Sequence, residues 1–300
     1  MRGLSCYTAS LHGYLAGEWD AGAILARSVR LAVRVDLPDG QLPFSHHEPS
    51  LDRLPDGSFL RYEGAECPAA ALAQVADDLA AHGRVIVVAD SASLPWSVTR
   101  GGPPAPHWLL IDRKIGGRWH VTDTFTALLP VGEQPPCASW LDTRQLSAAM
   151  TLPACWQPQQ AVRNTLAFGS PVDVPPGGAL WLRRGPGGPA PACPRGHWLS
   201  GSAQVLGFLI GYLTQHSTCT ERYLDDIWAA AGHRAFAYRW RLSQDPGSHL
   251  RHSLQQSLSR WEGLPRVLRI AGLSARRGRP RPTLVRTALE ELLQAEEDLS

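Results

Sequence analysis

Three residues of this chain have the chemical types that thiol-dependent acyl transfer needs: Cys6, His107 and Asp123. A cysteine becomes a strong nucleophile as the thiolate, and a helix N-terminus or a neighbouring imidazolium favours that form. A histidine can serve as the base for the thiol, and a carboxylate can orient the histidine. We therefore interpret Cys6 as a candidate nucleophile, His107 as its base and Asp123 as the group that orients the base.

The elements around these residues are predicted to bring two of them together. Apolar spacing after Cys6 predicts a helix that begins at the cysteine. Residues 108–111 and 119–122 predict the two strands of a β-hairpin, which His107 opens and Asp123 ends. Because the strands of a hairpin run antiparallel, its first and last residues lie at the same edge of the sheet. A hydrogen bond between His107 and Asp123 is therefore expected.

A second group of residues forms a candidate substrate pocket. His47, Glu48 and Asp52 lie in a polar segment without a sustained period, whereas Asp90 ends an apolar strand and Trp96 follows it in a loop.

The two adjacent histidines of the polar segment point in opposite directions if the chain there is extended, and no third ligand follows at a fixed spacing. The six cysteines are scattered with no close pair. The sequence therefore predicts no metal site, no cofactor and no disulfide framework.

Composition argues against several classes of function. The 300 residues include 44% apolar and 19% charged residues, and the formal net charge is +2. No basic stretch is interleaved with aromatic residues, so no nucleic-acid partner is predicted. No apolar run approaches the ~20 residues of a membrane span, and the first residues lack the pattern of a secretory signal. We expect a cytoplasmic protein that does not bind membranes.

The pattern of elements predicts an α+β fold. Residues 68–82 predict a helix and residues 85–89 a strand buried on both faces. We expect a catalytic domain over 1–150, a connector rich in proline and glycine with some extended structure over 151–195, and a mainly helical domain of about four helices over 196–300.

The first part of the chain contains an ordered series of segments: Cys6 on the first helix, Gly83–Asp90, Leu94–Trp96, His107–Ile111 and Trp119–Phe125. This series, over roughly residues 1–135, resembles the N-terminal domain of the butirosin biosynthesis protein H family, a branch of the papain-like cysteine peptidase superfamily. The resemblance implies a papain-like domain, in which an N-terminal helix packs on an antiparallel sheet, and then helices.

The resemblance also implies an activity, namely acyl transfer in the biosynthesis of antibiotics. An acyl group would pass from a carrier-protein thioester to Cys6 and then to an amine, with His107 as the base and Asp123 as the orienting acid. The implied partners are an acyl or amino-group carrier protein and a small-molecule acceptor. Whether a small partner subunit completes the site is left open at this point. The basic loop Arg276–Arg281 is a candidate docking site for such a carrier, because carrier proteins are typically anionic.

One departure from the family pattern concerns the oxyanion. Related peptidases have a glutamine a few residues ahead of the cysteine, whereas only Met1 to Ser5 precede Cys6 here and none has an amide side chain. Loss of one oxyanion donor lowers rates by about 100- to 1,000-fold in a well-studied protease. The backbone N–H of Cys6 at the helix start is another candidate donor.

Two further functions therefore stay open beside a Cys6-dependent acyltransferase or thioesterase. The first is a cyclase that closes a small nitrogen ring of the aziridine type on a carrier-bound intermediate, with Glu48, Asp52 or Asp90 as the base. The second is a non-catalytic protein that binds a carrier or another partner on a degenerate papain-like scaffold.

Overall fold

The chain has a mixed α/β structure with antiparallel sheets and a helical C-terminal region. The computed structural model describes residues 3–48, 51–129, 131–153, 178–187 and 196–299. Most of the predicted connector at 151–195 is not among them, since 154–177 and 188–195 lie outside the described residues.

Eleven strands occur in these described ranges. In chain order they are β1 (Val29–Arg34), β2 (Phe44–His47), β3 (Phe59–Ala65), β4 (Val85–Asp90), β5 (Pro106–Ile115), β6 (Arg118–Asp123), β7 (Ala127–Leu129), β8 (Gly132–Gln134), β9 (Cys137–Asp142), β10 (Ala179–Gly185) and β11 (Trp198–Ser200). Six of them form an antiparallel sheet in the order β3-β10-β4-β5-β6-β9. Strands β11, β1 and β2 form a smaller sheet, and β7 pairs with β8.

The described ranges also contain eight α-helices. In chain order they are α1 (Cys6–Leu15), α2 (Ala21–Ser28), α3 (Pro68–His82), α4 (Thr143–Met150), α5 (Ser202–Gln215), α6 (Leu224–Ser243), α7 (Ser248–Arg276) and α8 (Pro282–Glu297). None of these helices combines the length and the apolar character that crossing a bilayer requires.

The large sheet carries helices on both faces. Every residue of β4 is buried, as expected for a strand between two covered faces. Because successive side chains of a strand point to opposite faces, Val87 of β4 packs with α3 and α4, while Val88 packs with α1. Helix α1 therefore lies directly on the sheet.

Side-chain hydrogen bonds fix where α1 begins and how it docks. The Ser5 hydroxyl accepts the backbone N–H of Thr8 at 3.3 Å, which is the usual cap of a helix N-terminus. Further along the helix, the Ser10 hydroxyl donates to the Trp108 carbonyl oxygen of β5 at 2.8 Å. These bonds hold the start of α1 beside the end of the sheet at which β5 begins.

The strongest local predictions are confirmed. Helix α3 spans 68–82, with Pro68 in its first turn, and ends at Gly83, whose φ of 71° suits a residue without a Cβ. Strands β5 and β6 form the predicted hairpin, in which Leu110 pairs with Thr122.

The predicted domain boundaries do not coincide with the sheets. Strand β10 comes from the middle of the predicted connector, yet it lies between β3 and β4 inside the large sheet. Strand β11 pairs with β1, and the core of the helical region includes Leu31 and Phe44. Local composition could not show these pairings, because they join residues more than ninety positions apart.

A buried polar network joins the last helices of the chain. The Glu296 carboxylate of α8 accepts hydrogen bonds from Ser202, Arg234 and Tyr238, and from the Trp261 indole N–H at 2.8 Å. Burial alone would raise the pKa of Glu296, but the charge of Arg234 and these hydrogen bonds hold it below its ordinary value. The ionised carboxylate thus connects four helices through buried hydrogen bonds.

Candidate functional site

Cys6 is the first residue of α1 and lies near the start of β5, at one end of the strands of the large sheet. Its side chain is partly buried and packs against the apolar cluster that includes Tyr7 and Trp108. A helix supplies no intrahelical acceptor for the N–H of its first residue, and its N-terminus favours a nearby negative charge. The Cys6 side chain therefore lies at the positive end of α1, where an oxyanion can be bound.

His107 and Asp123 form the hydrogen bond that the hairpin predicts. The His107 Nε2 atom lies 2.9 Å from the Asp123 Oδ2 atom, and the two residues are only 7% and 1% exposed. His107 also lies close enough to Cys6 for the charge and the side chain of that residue to act on the imidazole. Because Nε2 is engaged by the carboxylate, Nδ1 is the ring nitrogen left for the thiol. The structure thus places Cys6 beside His107, and His107 in a hydrogen bond with Asp123.

The protonation of His107 is dominated by its two partners. Burial alone would lower the pKa of the imidazole, but the charges of Asp123 and Cys6 and the hydrogen bond to Asp123 raise it to about 10. The imidazolium is therefore the favoured form at neutral pH. His107 is thus a proton donor beside the Cys6 sulfur.

Two aromatic residues surround this pair. The Trp96 indole N–H donates to Asp123 Oδ2 at 2.7 Å, and the backbone N–H of Phe125 donates to Asp123 Oδ1 at 3.1 Å. The Phe125 ring meets the His107 ring edge to face, with 5.4 Å between centroids. Trp96, predicted as a pocket residue, therefore contacts the carboxylate and shields its hydrogen bond with His107.

The other predicted carboxylates lie in different surroundings. Glu48 is exposed and pairs with Arg30 at 2.8 Å. Asp90 is buried, and its Oδ1 atom accepts the backbone N–H groups of Ala92 and Ala105. These bonds close the loop after β4, which gives Asp90 a structural role. The hydrogen bonds to this loop thus account for an aspartate at the end of the buried strand β4.

Asp52 belongs to a cluster that also contains Tyr7 and Tyr62. Asp52 is partly buried, and burial followed by the charge of Asp52 raises the pKa of Tyr7. The hydroxyl of Tyr62 accepts the Trp108 indole N–H at 3.0 Å, and its pKa is raised by burial, with the charges of Tyr7 and Cys6 adding to it. Sequence reasoning did not single out Tyr7 or Tyr62, because a tyrosine near a strand or helix start carries no local signal.

His47 lies in a buried hydrogen-bonded cluster near the start of α1. Its Nδ1 atom is 2.9 Å from the Ser28 hydroxyl, and its Nε2 atom is 3.4 Å from the Thr8 hydroxyl. The same Thr8 hydroxyl lies 3.2 Å from Nε2 of His233, which belongs to α6 and is fully buried. Sequence reasoning missed His233, since it lies 225 residues from Thr8.

Both histidines of this cluster resist protonation. Burial lowers the pKa of His233 to about 4, against a hydrogen bond to Ala229 that raises it. Burial lowers the pKa of His47 well below its ordinary value, and the charges of His233, His46 and Arg30 lower it further. The His46 ring stacks on the His233 ring with 4.3 Å between centroids. His47 and His233 are therefore neutral imidazoles at neutral pH.

We expect the protein to lose stability as the pH falls from about 6.5, the ordinary value for histidine, to about 4. In this interval the unfolded chain binds a proton at His233 that the folded chain does not bind, so lower pH favours unfolding. For one group the loss reaches about 3 kcal/mol. Urea unfolding from about pH 7.5 to about pH 4.5 measures it.

Two variants serve to assign this pH dependence. His233→Gln should flatten the dependence, whereas His252→Gln, which removes an exposed imidazole, should leave it unchanged. A wild-type free energy of unfolding that stays constant over this range would contradict the assignment.

No group of three or more His, Cys, Asp or Glu side chains that could hold a metal ion occurs among the residues that the structure describes. Cys6, Cys67 and Cys137 carry free thiols, while Cys155 and Cys193 lie outside the described residues. The groups that Cys6, His107 and Asp123 bring to the site are a thiol, an imidazole and a carboxylate.

The chain was also compared with known proteins. No protein-family model matches it, and no curated protein does.

Proposed function

We propose that this chain is a cytoplasmic enzyme of secondary metabolism, an acyltransferase or thioesterase of the papain-like type that acts on a carrier-bound acyl or aminoacyl thioester. One observation carries the proposal: Cys6, at a helix start, lies beside His107, which is hydrogen-bonded to the buried Asp123. A thiol, a base and an orienting acid in this order are the parts of a nucleophilic triad.

The first half of the proposed reaction acylates the enzyme. The Cys6 thiolate attacks the carbonyl carbon of the thioester and forms a tetrahedral oxyanion. The N–H of Cys6, at the positive end of α1, is the candidate donor for this oxyanion. When the carbon–sulfur bond of the donor breaks, the carrier thiol leaves with the proton of His107, and the acyl group stays on Cys6.

The second half transfers the acyl group to an acceptor. An amine attacks the acyl-cysteine, and neutral His107 takes the amine proton. The bond between Cys6 and the acyl carbon then breaks, so that an amide leaves and the thiolate–imidazolium pair is restored. Water in place of the amine gives a carboxylic acid, which is the thioesterase outcome.

The fold and the surface are consistent with this proposal. A nucleophile on a helix that packs on an antiparallel sheet, with the base and the acid on neighbouring strands, is the arrangement that the papain-like resemblance implies. Arg277 and Arg279 are exposed in the loop between α7 and α8, and a basic loop suits the anionic surface of a carrier protein.

The two alternatives receive less support from the described residues. A cyclase needs an available carboxylate base, but Glu48 pairs with Arg30 and Asp90 bonds its own loop, which leaves Asp52 as its best candidate. A non-catalytic binding protein would not need the imidazole of His107 to contact both a thiol and a buried carboxylate.

Acylation of Cys6 is the direct test of this proposal. Wild-type protein incubated with S-acyl-pantetheine thioesters should gain the mass of one acyl group, and peptide mapping should locate it on Cys6. Cys6→Ala should lose the adduct and the turnover, because it removes the thiol that attacks the thioester. Cys67→Ala, which removes an exposed thiol, should keep both.

The same experiment separates the alternatives. Full turnover by Cys6→Ala together with its loss in Asp52→Asn would favour the cyclase. Carrier binding without any adduct or turnover, and a Cys6 thiol that reacts no faster than Cys67, would favour the binding protein.

A further inference from the structure

Helix α6 of the C-terminal region touches the backbone immediately before Cys6. A Cβ atom on Gly232 would lie 1.7 Å from the carbonyl oxygen of Gly3, and a Cβ on Gly3 would lie 2.7 Å from the Cα atom of Gly232. Gly3 also has a φ of 98°, which residues with a Cβ rarely adopt. The two backbones can approach this closely only because both residues are glycine.

The next residue of α6 bonds to α1 itself. His233 Nδ1 lies 2.7 Å from the Ala229 carbonyl oxygen, so this nitrogen donates, and Nε2 is left to accept the Thr8 hydroxyl at 3.2 Å. The Thr8 oxygen also contacts His47 at 3.4 Å and the capping Ser5 hydroxyl at 3.0 Å. Thr8 therefore connects α6 and β2 to the first turn of α1.

A third contact runs from α6 to the base. The Trp228 ring meets the Phe125 ring edge to face at 6.2 Å, and Phe125 in turn meets His107 at 5.4 Å. Helix α6 thus touches the segment before the thiol, the first turn that carries the thiol, and the aromatic ring beside the imidazole.

We propose that α6 positions the nucleophile, with Thr8 and His233 as positioning residues that hold the first turn of α1 and thereby the Cys6 thiol against His107. This inference rests on the proposed role of Cys6. It assigns the helical region a direct part in the chemistry. Displacement of a reacting group by about 1 Å can lower a rate by about 100-fold, so loosening this turn has a measurable effect.

Thr8→Val is the most informative variant, because it keeps the shape of this buried side chain and removes only the hydroxyl. Iodoacetamide is the probe, and peptide mass spectrometry follows the alkylation of Cys6 and of the exposed Cys67 in the same molecule. We expect Thr8→Val to slow alkylation of Cys6 by about tenfold or more while that of Cys67 stays constant. Thr8→Ser, which restores a hydroxyl, should recover most of the rate.

Controls separate positioning from a general loss of structure. Thr220→Val removes the hydroxyl of another fully buried threonine, one that bonds only its own turn, and should leave the Cys6 rate unchanged. Thermal unfolding verifies that each variant is folded at the assay temperature, and Thr8→Ala replaces Thr8→Val if the latter does not fold.

Each outcome bears on a separate claim. If wild-type Cys6 reacts no faster than Cys67, the proposed nucleophile fails and the positioning inference fails with it. Wild-type Cys6 could instead react much faster than Cys67 while the folded variant without the hydroxyl, Thr8→Val or its replacement Thr8→Ala, keeps the wild-type rate. In that case the positioning inference alone is overturned.

Discussion

Asp123→Asn is expected to lower acyl transfer by about 1,000- to 10,000-fold, in line with the loss on the equivalent change in a serine protease triad. The carboxylate accepts hydrogen bonds on both oxygens, from His107 and Trp96 on Oδ2 and from Phe125 on Oδ1. An amide has one oxygen, so its NH₂ group must face at least one of these donors. The histidine then loses its orientation or its preferred tautomer.

The pH dependence should change in a defined direction. The charge of Asp123 is the strongest of the influences that raise the pKa of His107 to about 10, against the effect of burial. Without that charge the imidazolium loses its proton at a lower pH. The alkaline limb of the rate, which reports His107 in the wild type, should therefore move from near pH 10 toward neutrality in the variant.

A matched control lies on the same hairpin. Asp112 and His120 form another aspartate–histidine pair, with 2.6 Å between Asp112 Oδ1 and His120 Nδ1, and Asp112 is 30% exposed. Asp112→Asn should leave the rate and its alkaline limb unchanged. An Asp123→Asn enzyme that keeps wild-type turnover at every pH would refute the role of the carboxylate.

Glu296→Ala is expected to destabilise the fold by about 3 to 5 kcal/mol, because it leaves the charge of Arg234 buried without its partner. Arg234 is 18% exposed and its guanidinium contacts Glu296, whose side chain is 2% exposed. The same substitution removes the acceptor of the Tyr238 hydroxyl and the Trp261 indole N–H. Urea unfolding measures the loss, which should appear as a lower midpoint.

Glu291→Ala is the control on the same helix. Glu291 pairs with Arg260 at 2.7 Å, but the two side chains are 46% and 50% exposed. Exposed pairs contribute about 0 to 1 kcal/mol, so this variant should remain near the wild-type stability. Equal losses for both variants would show that burial does not distinguish the two pairs.

The sequence predicted the features that depend on neighbours along the chain. The apolar spacing and the proline and glycine at its ends predicted α3, because helix periodicity and capping act over one or two turns. The hairpin was predicted for the same reason, since its two strands are joined by a short turn. Through that hairpin the sequence also predicted the pairing of His107 with Asp123.

The tertiary structure decided the features that depend on residues far apart in the chain. Strand β10 looked like part of a connector, because only its two neighbours in the sheet reveal its position. Trp96 and Asp90 were equal candidates in sequence, yet one contacts Asp123 and the other bonds its own loop.

The same division applies to Cys6 itself. Its place at the start of a helix follows from nearby sequence, because capping and the helix dipole are local effects. Its surroundings do not, since Thr8 meets His233 across 225 residues and Gly3 meets Gly232 by backbone contact. Packing between distant segments is set by the shape of the whole fold, and only the tertiary structure shows how the helical region reaches the nucleophile.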